Sequence, residues 1–348
     1  LIAPVTANAT ESNLDAISNL YQENIDLNSK SFISKPNNKS LLLSGGEGLV
    51  EETATIDGSF SETTSASFGS TFYVGSVENA SSESTTFSYD FSMDLSTSFT
   101  GEDSLDVAVI GGNAGTTAVD GYMGGDSTDS DQLQLDGISY TFPLGGATVI
   151  VGDGVGVDDM NTGACAYSAF TDLLGDCGTS SVGGSADSGF AIGYDFGNGF
   201  TVAGGAAGGD STSGYFTEED ASTIGLEVAY TSDTYGLSIA YTDDEAETYY
   251  SFQGMLTPEG FPSISVGYET DDDDADAIFA GLTFDEVGAG SVSIGIASTA
   301  LSSDDYYQYE LSYSYPINDG MTITPGVFIA ESAGEDETGF VVTTSFSF

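Results

Sequence analysis

Carboxylates are the only side chains in this sequence that are both abundant and chemically active. The 348 residues include 55 Asp and Glu against 3 basic residues, with 2 Cys and no His. Without His the chain lacks the commonest general base and metal ligand, so no Ser-His-Asp, Cys-His or HExxH centre can be built. The formal charge of −52 also excludes nucleic acid and anionic lipid surfaces as direct electrostatic partners. We therefore predict a protein that is not an enzyme and has no cofactor.

Many of these carboxylates lie on one side of a two-residue alternation. In residues 87–96, aromatic and aliphatic side chains alternate with Ser and Asp, which is typical of a half-buried β-strand. Asp90 and Asp94 then share the polar face of one strand, and the same reasoning places Asp106, Glu227 and Glu310 on polar faces of other strands. The strands must therefore bring these carboxylates to one surface.

Sixteen strands of this kind are predicted, and many approach the roughly 9–11 residues that a tilted strand needs to cross a membrane. Several end on aromatic residues, as is typical of the girdles of a membrane barrel: Tyr230, Tyr241, Tyr268, Phe284 and Tyr315. The predicted strands are 63–75, 85–97, 103–111, 132–142, 146–153, 187–195, 199–206, 223–232, 234–242, 249–256, 262–270, 274–285, 289–298, 306–315, 320–330 and 338–348.

The connections between the strands differ in length by parity. Those after odd-numbered strands include the long segments 112–131, 154–186 and 207–222, whereas those after even-numbered strands are mostly short turns. A soluble sandwich has no reason for this sorting, but a transmembrane barrel has short periplasmic turns and long outer loops. Because no basic residue follows Lys39, a water-filled lumen also accommodates the charge better than a compact core. We predict an all-β, transmembrane, antiparallel up-and-down β-barrel over residues 61–348.

The first sixty residues are expected to lie outside the barrel. Residues 1–9 end in Ala7-Asn8-Ala9, an A-x-A pattern after a short apolar run, and are interpreted as the remnant of a secretory signal peptide. Residues 10–60 are polar and are interpreted as a periplasmic N-terminal segment and linker. Export favours a disulfide between Cys165 and Cys177, with two free thiols as the alternative.

Three segments resemble cyanobacterial outer-membrane porins of the carbohydrate-selective or iron-uptake group. The segments are the final strand GFVVTTSFSF, the stretch TSFTGED at 97–103 and the start LIAPVTANATESNLDAISN. The resemblance implies an outer-membrane location, contact with lipid bilayer and lipopolysaccharide, a homotrimer, and a barrel-assembly signal at Phe346 and Phe348. The chain is expected to be a form that lacks the S-layer-homology domain usual in that group, and it has no Arg in the strand after TSFTGED. The missing Arg residues weaken any expectation of anion handling or carbohydrate selectivity.

The connection after the fifth strand is, by resemblance to general porins, a loop that folds inward and narrows the lumen. It would present the carboxylates of Asp158, Asp159, Asp172 and Asp176, and one or two helical turns are expected within 166–174. The alternative is an ordinary long surface loop. Likewise Asp271 to Asp274 are interpreted as a solvated loop tip, although weak Ca²⁺ or Mg²⁺ binding at the acidic outer loops is an open alternative.

The function predicted from these features is a water-filled channel for small hydrophilic solutes or ions that favours cations. Its pore-lining carboxylates would be Asp90, Asp94, Asp106, Glu227 and Glu310, each of which has the alternative of merely solubilising a wet wall. The first alternative function is a secreted, acidic, calcium-binding β-rich surface-layer or structural protein, although tandem GGxGxD repeats are absent. The second is a halophilic enzyme, which explains the charge but not the alternation.

Overall fold

The computed structural model describes residues 63–125, 131–179, 182, 188–208, 222–273, 275–298 and 306–348, which contain one closed antiparallel β-barrel. The expected signal remnant at 1–9 and the expected periplasmic segment at 10–60 lie outside the described residues. The strands are β1 (Thr64–Glu78), β2 (Thr86–Thr97), β3 (Ser104–Gly112), β4 (Gln134–Leu144), β5 (Ala147–Asp153), β6 (Ser188–Asp195), β7 (Phe200–Gly208), β8 (Ser222–Thr231), β9 (Tyr235–Asp243), β10 (Thr248–Leu256), β11 (Ser263–Asp271), β12 (Asp276–Val287), β13 (Gly290–Ser298), β14 (Tyr307–Asn318), β15 (Met321–Ala330) and β16 (Glu337–Ser347).

Each strand pairs with its neighbours in the chain, and β1 also pairs with β16, which closes the sheet. At this seam Phe68 and Phe348 exchange backbone hydrogen bonds of 2.8 and 3.1 Å. Closure leaves no sheet edge with unpaired N–H and C=O groups, which is the condition for β-structure inside hydrocarbon. All sixteen predicted strands are present within a few residues of their predicted ends, and the predicted barrel is confirmed.

The two faces of the barrel are reversed relative to those of a soluble protein. On β8, Leu226 is 56% exposed on the outer face, whereas the next residue, Glu227, is only 3% exposed on the inner face. The outer face of the barrel carries many further exposed aliphatic and aromatic side chains, including Ile239, Ile278 and Ile329. Because exposing apolar surface to water costs about 25 cal/mol per Å², this outer surface requires apolar surroundings.

The connections at the two ends of the barrel differ in length, as predicted. Those after even-numbered strands include the tight turns 145–146, 288–289 and 319–320. Gly145 and Gly288 have φ values of 67° and 70°, in the left-handed region that tight hairpin turns use. Those after odd-numbered strands include 113–133, 154–187 and 209–221. Short turns at one end and long loops at the other are typical of outer-membrane barrels.

Two long loops contain short helical segments: α1 (Ala118–Met123) between β3 and β4, and a 3₁₀ helix (Asp172–Gly178) between β5 and β6. The sequence did not predict α1, because its 6 residues are too few to show a helical period. The helical turn expected within 166–174 begins only at Asp172, near the end of that range, and residues 161–170 have no helix. Within the described part of the chain, neither helix approaches the length and apolar character of a membrane span.

Candidate functional site: the lumen and its loops

The connection after β5 is here called the inner loop (154–187), and its described part, residues 154–179 and 182, follows the inner wall of the barrel. Between residues 162 and 170 every second backbone N–H donates a hydrogen bond to a wall side chain. These bonds join Thr162 to Glu227 on β8, Ala164 to Gln253 on β10, Ala166 to Ser265 on β11, Ser168 to Thr283 on β12 and Phe170 to Glu310 on β14, at 2.6, 2.8, 2.9, 3.4 and 2.8 Å. Because these N–H groups already have partners on the wall, the stretch gains nothing by forming a helix.

Two buried glutamates anchor the ends of this extended stretch. Glu227 accepts the N–H groups of Thr162 and Gly163 at 2.6 and 2.8 Å. Glu310, which is also 3% exposed, accepts the Tyr167 hydroxyl and two backbone N–H groups at 2.8 Å, and it accepts the Thr171 hydroxyl as well. A buried carboxylate must be compensated, and because no basic residue follows Lys39, the loop supplies N–H and O–H donors instead. The two glutamates predicted to line the pore therefore lie on the inner wall but beneath the loop.

The returning limb of the inner loop is held by Gln253 and by a disulfide. The Gln253 Nε2 group donates to the carbonyl of Asp176 and to the hydroxyl of Thr179, both at 2.8 Å. Its Oε1 atom accepts the backbone N–H of Ala164, which lies on the outgoing limb. Cys165 and Cys177 are joined by a disulfide with a Cα–Cα distance of 5.9 Å. Both limbs of the loop are thereby fastened to one place on the wall.

Inward-facing glycines provide the space in which the loop lies. A Cβ at Gly267 on β11 would overlap the backbone of Cys177, and one at Gly295 on β13 would overlap Tyr167. A Cβ at Gly326 on β15 would meet the Phe170 ring in the same way. Sequence reasoning missed these glycines and the acceptors Gln253, Ser265 and Thr283. Their only local signal is a Gly or a hydrogen-bond acceptor at an inward, mid-strand position.

The inner loop has an apolar side and an acidic side. Val155, Val157, Leu174 and Cys177 are at most 1% exposed and face the wall. The four predicted carboxylates remain exposed: Asp158, Asp159, Asp172 and Asp176. The loop therefore buries its apolar residues against the barrel and presents negative charge to the lumen.

Asp158 and Asp176 meet the wall residue Glu227 in a polar cavity of about 270 Å³, which Asn161 also lines. Burial raises the pKa of Asp158 to about 6, and the charges of Asp159, Asp176 and Glu227 act in the same direction. Asp158 as a whole residue is exposed, so the burial that raises its pKa is that of the part of the side chain that lines the cavity. Asp172 lies elsewhere, close to Gly124 at the end of α1.

The connection between β3 and β4 is here called the helical loop (113–133), and its described residues around α1 also fold against the inner wall. Val119 on α1 belongs to a hydrophobic cluster with Tyr73, Phe328, Val341 and Phe170, the last of which comes from the inner loop. The Asp120 carboxylate caps the helix by accepting the Thr117 N–H at 2.9 Å, and it also accepts the Ser88 hydroxyl from β2. The Tyr122 hydroxyl donates to Glu337 at 3.0 Å, and burial together with this bond raises the pKa of Tyr122 to about 12.

The other three predicted wall carboxylates lie on the neighbouring strands β2 and β3. Asp90 accepts the Tyr73 hydroxyl at 2.7 Å, beside the cluster around α1. Asp94 is exposed, and half-buried Asp106 accepts the Ser104 hydroxyl at 2.7 Å. The five predicted residues therefore divide into two that are covered by the inner loop, one beside α1, one that is exposed and one that is half-buried.

The remaining predicted residues lie at the closing seam and at the turn after β11. Phe346 and Phe348 are at the closing seam, where their rings contact Phe72 and Phe68 at centroid distances of 5.8 and 5.4 Å. The Asp271 carboxylate accepts two N–H groups of its own turn, at 2.9 and 3.0 Å, while Asp274 lies outside the described residues. Among the residues that the structure describes, no three acidic or Cys side chains form a group that could hold a metal ion.

Comparison with known proteins finds similarity in structure only. No family model matches the chain. No curated protein matches its sequence. A triple mutant of the Rhodopseudomonas blastica porin aligns with a TM-score of 0.64 and 14% identity, covering 82% of this chain and 100% of that one. A loop-deletion mutant of OmpT, an outer membrane protein of Vibrio cholerae, aligns with a TM-score of 0.62 and 13% identity, covering 82% of this chain and 100% of that one. Pseudomonas putida OprB aligns with a TM-score of 0.59 and 12% identity, covering 82% of this chain and 94% of that one. The chain therefore has the sixteen-stranded fold of bacterial outer-membrane porins.

Proposed function

We propose that this protein is an outer-membrane porin, a water-filled channel through which small hydrophilic solutes and ions diffuse passively and cations are favoured. The observation that carries the proposal is the acidic side of the inner loop, held inside a closed barrel whose apolar side chains face outward. Solutes move down their own gradients through such a channel, so no covalent chemistry and no catalytic residue are required.

The preference for cations follows from the sign of the charge. The barrel contains no Lys, Arg or His, so every ionised side chain that a solute meets is a carboxylate. Two unit charges 4 Å apart interact by about 4 kcal/mol at an effective dielectric of 20, which applies better than that of bulk water in a narrow lumen. Anions are therefore repelled at the constriction and cations are attracted, as at other acidic rings.

Planar-bilayer recording tests both parts of the proposal. The full chain, folded in detergent and shown to be folded by heat-modifiable migration on SDS gels, is added to a phosphatidylcholine bilayer under a tenfold KCl gradient. We expect discrete conductance steps and a reversal potential of the sign set by K⁺. Folded protein that gives no steps would reject the channel, whereas a reversal potential near zero or of anion sign would reject only the cation preference. Boiled protein is the control.

Several further expectations belong to the same proposal. Lipid and lipopolysaccharide would surround the outward apolar belt, and weak Ca²⁺ or Mg²⁺ binding at the outer loops would bridge acidic side chains to acidic headgroups. A homotrimer and an origin among cyanobacterial porins rest on the sequence resemblance alone. The alternative of a secreted calcium-binding surface protein is disfavoured, because its outer face would leave many aliphatic side chains in water.

A further inference from the structure

The space inside the barrel is unequally occupied, and this decides which wall carboxylates a solute meets. We infer that solutes pass along one side only, between the inner face of β2–β5 and the acidic side of the inner loop, and that Asp94 and Asp106 are the wall residues that set charge selectivity. The inference rests on the proposed channel function and narrows it to one route.

The wall from β7 to β14 is covered by the inner loop. Small inward-facing residues along it would touch water in an open lumen, yet none of these is more than 6% exposed: Ala203, Ala229, Ala240, Ala277 and Ala297. Glu227 and Glu310 lie beneath the same loop, and their carboxylate oxygens accept hydrogen bonds from its N–H and O–H groups. These two carboxylates therefore position the loop and do not face a passing ion.

The wall formed by β1, β15 and β16 is covered by the helical loop. Val77, Phe328 and Val341 are at most 1% exposed beneath α1, in the cluster that Phe170 of the inner loop also enters. The Tyr122 ring lies 4.4 Å from the Phe328 ring, between centroids. The two loops thus meet over a dry hydrophobic cluster, which closes this side of the lumen to water and ions.

Among the described residues, the contacts of the two loops fall on β1, on β6–β16 and on the outer ends of β2, β3 and β4. The described loop residues leave the stretch of β2 and β3 around Asp94 and Asp106 uncovered. Asp94 is exposed there, and Asp106 is its diagonal neighbour, because Asp94 pairs with Ala108 and Asp106 with Ser96. Diagonal partners on paired strands are roughly 7–8 Å apart, so the two carboxylates reinforce each other. Across the lumen the inner loop presents its own exposed carboxylates, which include Asp158 and Asp159.

Cysteine accessibility tests the route directly, because the only two Cys of the chain are bonded to each other. Asp94→Cys and Ser96→Cys place a thiol on the open wall. Ser312→Cys on β14 and Thr343→Cys on β16 place one on inward positions that are 6% and 8% exposed. Each folded variant is treated in the bilayer with a trimethylammonium methanethiosulfonate reagent. We expect current to fall at least tenfold faster for the first pair than for the second. Equal rates would overturn the one-sided route.

Charge removal tests the role of the two carboxylates. In Asp94→Asn/Asp106→Asn we expect the K⁺/Cl⁻ permeability ratio to fall at least threefold. The matched control, Asp233→Asn/Glu259→Gln, removes two charges from short turns and should leave the ratio nearly unchanged. An unchanged ratio in the first double variant, or an equal fall in the control, would overturn the inference. Both results require channel steps from the unaltered protein, so a failure of the channel proposal itself is seen separately.

Discussion

Glu310 binds Thr171 through two donors of that residue, its backbone N–H at 2.8 Å and its side-chain hydroxyl. Gln308, two residues earlier on β14, donates to the same hydroxyl at 2.6 Å. The contact shows how a chain with no base in its barrel can bury a carboxylate. The backbone of the inner loop supplies the donors that Arg or Lys would supply elsewhere, so loop position and charge compensation depend on each other.

Replacing Glu310 should therefore release the tip of the inner loop. Glu310→Gln removes the charge and turns an NH₂ group toward donors, which we expect to weaken loop docking by about 2–3 kcal/mol. The result should be larger, noisier single-channel currents with the barrel still folded. Asp319→Asn, on the exposed β14–β15 turn, loses the same charge without loop contact and should behave like the unaltered protein. Indistinguishable traces from all three proteins would contradict this role.

Reducing the disulfide should loosen the inner loop without melting the barrel. Cys165 and Cys177 are 12 residues apart, and closing a loop of about that length is worth roughly 3 kcal/mol in the chain-entropy model. We expect a reductant added to the bilayer to increase current noise, while the SDS-resistant barrel band persists because strand pairing is untouched. The double variant Cys165→Ser/Cys177→Ser should be noisy from the start and should not respond to the reductant.

Adding a side chain at one of the inward-facing glycines beneath the inner loop should displace the loop. Gly267→Ala places a methyl group against the backbone of Cys177, and such overpacking typically costs about 1–3 kcal/mol. Gly175→Ala is the matched control, because Gly175 has an ordinary φ of −57° and open space around its Cα. Thermal unfolding and conductance should change for Gly267→Ala only. An equal change in both variants would contradict the view that Gly267 makes room for the inner loop.

Cation preference should weaken in mildly acidic solution. Because burial raises the pKa of Asp158 to about 6, this carboxylate takes up a proton as the pH falls from 7 to 5. Protonation neutralises it, so the lumen carries one negative charge fewer. The K⁺/Cl⁻ permeability ratio should drop over that interval, and Asp158→Asn should remove this part of the drop. The folded state binds more protons than the unfolded chain between about pH 4 and pH 6, so loop stability should decrease as the pH rises through that window.

A charged substitution should destabilise the protein on the outward face of the barrel but not on the open part of its inner face. Leu226→Lys puts an ammonium group at mid-strand on the apolar surface, where a basic residue costs about 2–4 kcal/mol in a bilayer. Asp94→Lys puts the same group at an exposed inward position. Unfolding in lipid vesicles should show a clear loss of stability for the first variant and little for the second. The opposite ranking would mean that the faces are wrongly assigned.

Local information in the chain determined the barrel itself. Alternation in segments such as 223–232 and 306–315 specifies both the strand and its two faces, because successive side chains of a strand point to opposite sides. Glycine turns and loop lengths then specify antiparallel neighbours, and the absence of basic residues sets the sign of charge in the lumen. None of these properties requires knowledge of a distant contact.

Only the tertiary structure decided which inward carboxylates are open. Glu310 and Asp94 look alike in the sequence, since each lies on the polar face of a predicted strand. Glu310 is buried because Tyr167 and its neighbours reach it from 143 residues away, whereas no comparable partner covers exposed Asp94 among the described residues. The path of the inner loop and the docking of α1 depend on shape matching across the closed barrel. A two-residue period carries no information about such long-range contacts.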